Sequence, residues 1–174
     1  LGEYEPVMLD GFRRGTKLYA LPFGMDFSFL VYNRDLFRAA GLPFPQDDWS
    51  YEQFLETAQK LTLRGADGIA TQYGYKGGLD FGLFGASIFD PATGLVSCNT
   101  PEMVNFFQTN LDLVYRYRVS DSPEEAKLHG LDPLGYFGRK RVAMMAFFTW
   151  NLPQMREAFA NAGEPEAVVQ TTNT

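Results

Sequence analysis

Residues 17–50, KLYALPFGMDFSFLVYNRDLFRAAGLPFPQDDWS, decide the fold class of this chain. Lys17 to Leu21 reads as a strand stopped by Pro22, which cannot donate to a sheet ladder. Phe23 to Asp26 is a connection. Phe27 to Tyr32 is apolar or aromatic nearly throughout, the pattern of a strand covered on both faces. Asn33-Arg34-Asp35 then turns into a short helix that runs through Ala40 and closes on Gly41. Leu42 to Asp48 is a proline-containing loop. Ser50 starts a second helix as N-cap, with Gln53 in the reciprocal capping position. Tyr51, Phe54, Leu55, Ala58 and Leu61 fall on one side of it at helical spacing. Strand, connection, buried strand, helix and capped helix in succession point to α/β architecture.

The rest of the chain extends that pattern. Ile69 to Tyr75 reads as a short strand broken by Gly77-Gly78. Asp80 to Phe89 reads as a helix, weakened by Gly82 and Gly85. Asp90 to Gly94 is a turn. Thr100-Pro101-Glu102 opens a helix that runs to about Arg118: an N-cap, a proline at the first position and an acid in the first turn. Its stripe Met103, Phe106, Phe107, Leu111 and Val114 reads as core. Residues 120 to 130, with Glu124-Glu125, read as polar loop, and His129 as a solvated loop histidine. Leu131 to Phe137 reads as a short helix ended by Gly138, and Val142 to Phe148 as an apolar strand. Asn151 caps a last helix with Leu152, Met155, Phe159 and Ala162 on its inner face.

Composition narrows the function. The chain has 174 residues, 15 basic and 21 acidic, for a net charge of −6. That balance opposes a nucleic-acid partner, since phosphate binding wants a basic face. It also gives no polybasic anchor for an anionic membrane. No apolar run approaches the roughly 20 residues of a spanning helix. The start, LGEYEPVMLDGF, lacks the basic and apolar regions of a secretory leader and an initiator Met, so a processed fragment is expected. One Cys98 and one His129 cannot build a common zinc site, and neither metal nor cofactor is expected. The glycines around residues 74–85 make no phosphate loop, because no Lys-Ser/Thr follows at the required spacing. Arg139-Lys140-Arg141 reads as a solvated charged face. Sixteen Phe, nine Tyr and two Trp bring aromatic content to 16%. Some of those rings are core and some are available to line a site.

Trp150 is the foremost candidate. In FFTWN it follows a strand and precedes a helix, at the strand end where open α/β sheets collect ligands. Thr149 and Asn151 are placed to supply hydrogen bonds beside it. The competing reading is a core tryptophan that packs the helix on the sheet. Trp49, just before a capped helix, reads as structural.

Leu21-Pro22, Tyr32-Asn33, Ala40-Gly41-Leu42, Pro43, Pro45, Trp49 and the helix from Tyr51 form an ordered set. It is followed by NTPEMVNFFQTNLDLVYRY and YFGRKRVAMMAFFTWNLPQM. Together, over roughly residues 15 to 162, these resemble the extracellular solute-binding proteins of ABC transporters, in the carbohydrate-binding family that includes maltose-binding protein. The loop carrying Phe44 and Gln46-Asp47-Asp48 is longer than the shortest family versions, and the chain has about half the family's length. The resemblance implies a periplasmic-binding-protein-like second lobe, an α/β unit with helices packed on both sides of a central mixed sheet. Its expected limits are residues 17–162, after an irregular segment 1–16 on the hinge side and before a tail 163–174 toward a second hinge.

The resemblance further implies non-catalytic capture of a sugar or oligosaccharide in an interlobe cleft, and delivery to an ABC permease. The expected location is outside the cytoplasmic membrane, as a periplasmic protein or a cell-surface lipoprotein. Met25 and Asp26 are expected to reach the cleft near the hinge. Asp26 would accept paired hydroxyl donors, or would be an ordinary turn aspartate. Asp80 and Phe81 are expected to add cleft contacts, the alternative for Asp80 being a helix cap. The expected partners are a carbohydrate, permease subunits and the first lobe of the same protein, with self-association of the fragment through exposed rings. The competing functions are a glycoside hydrolase fragment, which would need two carboxyl groups about 5 to 10 Å apart in one cleft, and a structural module whose rings are all core.

Overall fold

The computed structural model describes residues 4–24, 26–46, 48–90, 92–161 and 167–170, and from residue 157 onward by backbone alone. Elements follow in the order α1 (Pro6–Asp10), β1 (Arg13–Arg14), β2 (Lys17–Leu18), β3 (Ser28–Asn33), α2 (Arg34–Ala39), α3 (Tyr51–Lys60), β4 (Leu63–Arg64) and β5 (Ala70–Lys76). A 3₁₀ turn, Phe81–Phe84, leads to α4 (Pro101–Tyr115), α5 (Pro123–His129), α6 (Pro133–Gly138) and β6 (Val142–Phe148). A second 3₁₀ turn, Thr149–Asn151, precedes α7 (Leu152–Asn161) and β7 (Ala167–Gln170).

Five strands form one sheet in the order β4-β5-β6-β3-β7. β5 and β6 are parallel, pairing Tyr73 with Val142 and Tyr75 with Met144, and the other pairs are antiparallel. β1 and β2 make a separate two-stranded ribbon, Arg14 opposite Lys17. The sheet is covered on both faces. On one, Phe29, Val31, Tyr73, Val142 and Phe147 pack with Tyr136 and Phe137 of α6 and Met155 of α7. On the other, Tyr32, Tyr75 and Met144 pack with Phe37 of α2, Phe54 and Ala58 of α3 and Leu113 of α4. Alternate β3 residues enter alternate layers because strand side chains have a period of two. This is the mixed α/β arrangement expected from the sequence.

Local chemistry sets the helix starts. Asn33 accepts the amides of Asp35 and Leu36 and so converts β3 directly into α2. Ser50 and Gln53 close a reciprocal capping box on α3. Thr100 caps α4 through the Met103 amide, with Pro101 at the first position. Gly74 lies so close to α3 that a Cβ there would collide with the Ala58 carbonyl. The helix therefore sits directly on the strand.

Several expectations give way. Only Lys17–Leu18 of the first strand is paired, and its partner is the ribbon strand β1. Phe27 lies outside β3 and is exposed. The segment from Asp80 makes only the 3₁₀ turn, which stops at Gly85 in the left-handed region, φ 66°. Residues 123–129 are helical, not loop, because Ser122 and Glu125 form a second capping box ahead of Pro123. His129 is half-buried at the end of α5, edge-on to Tyr73 and Tyr136. α4 buries Met103 of the expected stripe together with Leu113, and half-buries Phe106 and Val114, whereas Phe107 and Leu111 are 57% and 51% exposed.

Candidate functional site

The sheet topology gathers three chain segments at one end. β5 and β6 run parallel, so both reach their C-terminal ends there. β3 runs against β6, with Ser28 opposite Phe148, so β3 begins at that same end. The connection before β3, the loop after β5 and the turn after β6 are thereby brought to one edge, where ligands bind in open α/β sheets.

Trp150 sits in the 3₁₀ turn after β6 and is 54% exposed, which removes the core reading. One face of its indole is covered by Phe148, with centroids 4.3 Å apart and planes 4° from parallel. The exposed indole is thereby backed by a second ring. A ring of this kind suits a partner with an apolar face and polar edges.

Asp26 and Thr149 come together across 123 positions of sequence. The Thr149 hydroxyl donates to Asp26 Oδ1 at 2.8 Å and accepts the Phe27 amide at 3.2 Å. The Thr149 amide in turn donates to the Phe27 carbonyl at 3.0 Å. Thr149 thus directs its amide and its one hydroxyl proton within the protein, and the Asp26 carboxylate it holds is exposed. Asn151 is half-buried in the same turn as Trp150. Met25 lies outside the described residues.

Asp80 acts as the cap it was alternatively read to be, accepting the Gly82 amide at 2.8 Å. Phe81 is partly exposed and meets Phe106 edge-on. These two sit on the loop after β5, at the same end of the sheet as Trp150, and no hydrogen bond or ring contact joins them to it among the described residues. The loop itself is firmly held. Gly77, at φ 120°, packs against Ala146 of β6, and Asn110 of α4 accepts the Leu79 amide at 2.8 Å.

Two contributors escaped the sequence reading. Phe148 reads as an ordinary strand residue, and nothing local announces that it backs Trp150. Phe27 reads as part of a buried strand yet adds an exposed ring beside Asp26. Among the described residues no three His, Cys, Asp or Glu side chains stand together to hold a metal ion. No helix among them is long and apolar enough to cross a membrane.

The family described as bacterial extracellular solute-binding protein matches residues 2–169. Solved structures share the fold. An ABC substrate-binding protein from Listeria monocytogenes, in complex with cycloalternan, is 25% identical with a TM-score of 0.74. A solute-binding protein from Thermotoga lettingae bound with α-D-tagatose is 19% identical, TM-score 0.70. A sugar transporter protein from Rhizobium etli in an open conformation is 21% identical, TM-score 0.71. The matches cover 95%, 97% and 95% of this chain but 42%, 44% and 42% of those chains. The chain therefore spans less than half the length of the solved structures it resembles.

Proposed function

We propose a function for this chain, which belongs to the bacterial extracellular solute-binding protein family: it is one lobe of a two-lobed ABC-importer binding protein that captures a sugar or oligosaccharide. The family is non-catalytic, so the glycoside hydrolase alternative is set aside.

The observation that carries the sugar reading is the pairing of a backed tryptophan with a tethered carboxylate. Trp150 offers an exposed ring backed by Phe148, and Asp26, tied to the residue before Trp150, offers an exposed carboxylate. A pyranose presents an apolar face to a ring and hydroxyl donors at its edge, and hydroxyl-to-carboxylate bonds are among the stronger neutral-to-charged contacts. Lobe limits at residues 17–162, capture by hinge closure, hand-over to a permease, and a periplasmic or lipid-anchored location complete the proposal. Asp80, Phe81, Asn151 and Met25 are proposed as additional contacts in the closed cleft.

The test is a fluorescence titration of a Trp49→Phe variant, which leaves Trp150 as sole reporter, with neutral oligosaccharides such as maltotriose and mannotriose. A saturable shift in the millimolar range, lost in Asp26→Ala, supports the reading. Saturation by amino acids or peptides instead of sugars overturns the ligand class. Micromolar affinity of these residues alone overturns the half-site assignment.

A further inference from the structure

We propose that Thr149 is a positioning residue: its hydroxyl, with its one proton spoken for, sets the direction in which the Asp26 carboxylate faces an incoming ligand. The proposal rests on the reading that Asp26 takes part in ligand binding.

A threonine hydroxyl has one proton to donate and two lone pairs to accept with. Here it accepts the Phe27 N–H at 3.2 Å, so the proton is directed at Asp26 Oδ1, 2.8 Å away. The direction of both bonds follows from the atoms involved, since an amide nitrogen only donates and an ionised carboxylate only accepts.

Thr149 is itself held. Its amide donates to the Phe27 carbonyl at 3.0 Å, which extends the β3–β6 register by one step beyond Ser28 opposite Phe148. The branched Cβ restricts χ1 further. The hydroxyl is thus a fixed donor at the last rung of a paired ladder, one residue before the exposed Trp150.

The tie has a consequence for binding. Asp26 is exposed and precedes β3, where an unrestrained carboxylate would sample several rotamers. Ordering a side chain on binding weakens association, and holding it beforehand removes that cost. Thr149 binds Oδ1, so the carboxylate is oriented through one oxygen before a ligand arrives. In this role Thr149 acts through Asp26, which is distinct from the direct ligand contact expected from its place beside Trp150.

The test compares Thr149→Val, which keeps the shape and loses the hydroxyl, with Thr149→Ser, which keeps the hydroxyl. In the ligand-free protein, NMR couplings across the Asp26 Cα–Cβ bond should report one rotamer for wild type and Thr149→Ser and averaging for Thr149→Val. A single Asp26 rotamer in Thr149→Val overturns the proposal whether or not any sugar binds. With maltotriose or mannotriose as probe, Thr149→Val should weaken binding about two- to tenfold, the range that one newly ordered side chain spans. Thr149→Ser should restore it. In an Asp26→Ala background the same Thr149→Val change should cost nothing more. A full loss that persists there shows that Thr149 acts without Asp26 and overturns the proposal. With the rotamer result intact, the positioning role stands even where this single lobe, which is expected to bind weakly or not at all, takes up no sugar.

Discussion

Trp150 lies against Phe148 with ring centroids 4.3 Å apart and planes within 4° of parallel. One ring ends the strand and the other sits in the middle of the turn that follows. The aromatic platform is therefore an extension of the sheet, not a side chain waving in a loop. Aromatic pairs contribute about 0.5–1.5 kcal/mol beyond area burial. Phe148→Leu should lower urea stability by about that amount. It should also shorten the anisotropy decay of Trp150 in a Trp49→Phe background. Unchanged anisotropy would show that Phe148 does not hold the indole.

Lys76 and Asp121 form a mostly buried ion pair, with Nζ 2.6 Å from both carboxylate oxygens and 4.3 Å above the Tyr136 ring. It ties the end of β5 to the chain between α4 and α5. Removing one partner strands the other charge, which costs about 3–5 kcal/mol. Asp121→Ala should show a loss of that size in urea unfolding. Replacing both, as Lys76→Met with Asp121→Leu, should recover much of it.

Gly74 is a packing requirement and Gly24 is not. A Cβ at Gly74 meets the Ala58 carbonyl, whereas Gly24 has open space around it. Gly74→Ala should destabilise by at least the roughly 1–3 kcal/mol typical of overpacking. Gly24→Ala should be close to neutral in the same urea series.

Burial raises the phenol pKa of Tyr75, and burial followed by the nearby carboxylates of Glu125 and Asp121 raises that of Tyr73. Tyr136 shifts the same way, from burial and then from Asp121. The neutral phenol is favoured in the folded chain, so the unfolded chain releases these protons first. Stability is fully present below the ordinary tyrosine pKa of 10.0 and falls as pH climbs beyond it. Urea midpoints measured across that range should decline, and Tyr75→Phe should flatten the decline. An unchanged slope would remove Tyr75 as a cause.

The outward stripe of α4, Val104, Phe107, Leu111 and Tyr115, is an apolar face with no cover among the described residues. Such faces favour association. Leu111→Gln should leave the unfolding free energy within about 0.5 kcal/mol, as for other exposed positions. It should reduce the apparent mass by light scattering at high concentration. An unchanged mass would direct attention to the rings around Trp150 instead.

The sequence was most informative where structure is made by neighbours in the chain. Asn33, Ser50 with Gln53, and Thr100 with Pro101 act within four residues, and each starts its helix as expected. The same kind of signal, Ser122 with Glu125, starts α5 inside a stretch whose polar composition reads as loop. The phase of α4 was misread for a physical reason. Its inner face contains polar Asn110, which is half-buried because it bonds Leu79 N–H and the Phe106 carbonyl. Phe107 and Leu111 therefore looked like the better core. At the site, Trp150 was legible from its place between strand and helix. The Asp26–Thr149 tie was not, because only the β3–β6 register brings residues 123 positions apart together.

The edge strand β7 has a mechanical corollary. It runs antiparallel to β3, with Ala167 opposite Asn33 and Gln170 opposite Leu30. The start of β3 and the finish of β7 therefore leave the sheet side by side. A load pulling residue 28 away from residue 170 opens the pair one rung at a time, like a zipper, and does not shear all its hydrogen bonds at once. Under tension β7 is the strand that peels first, while β5 and β6 remain seated between their neighbours.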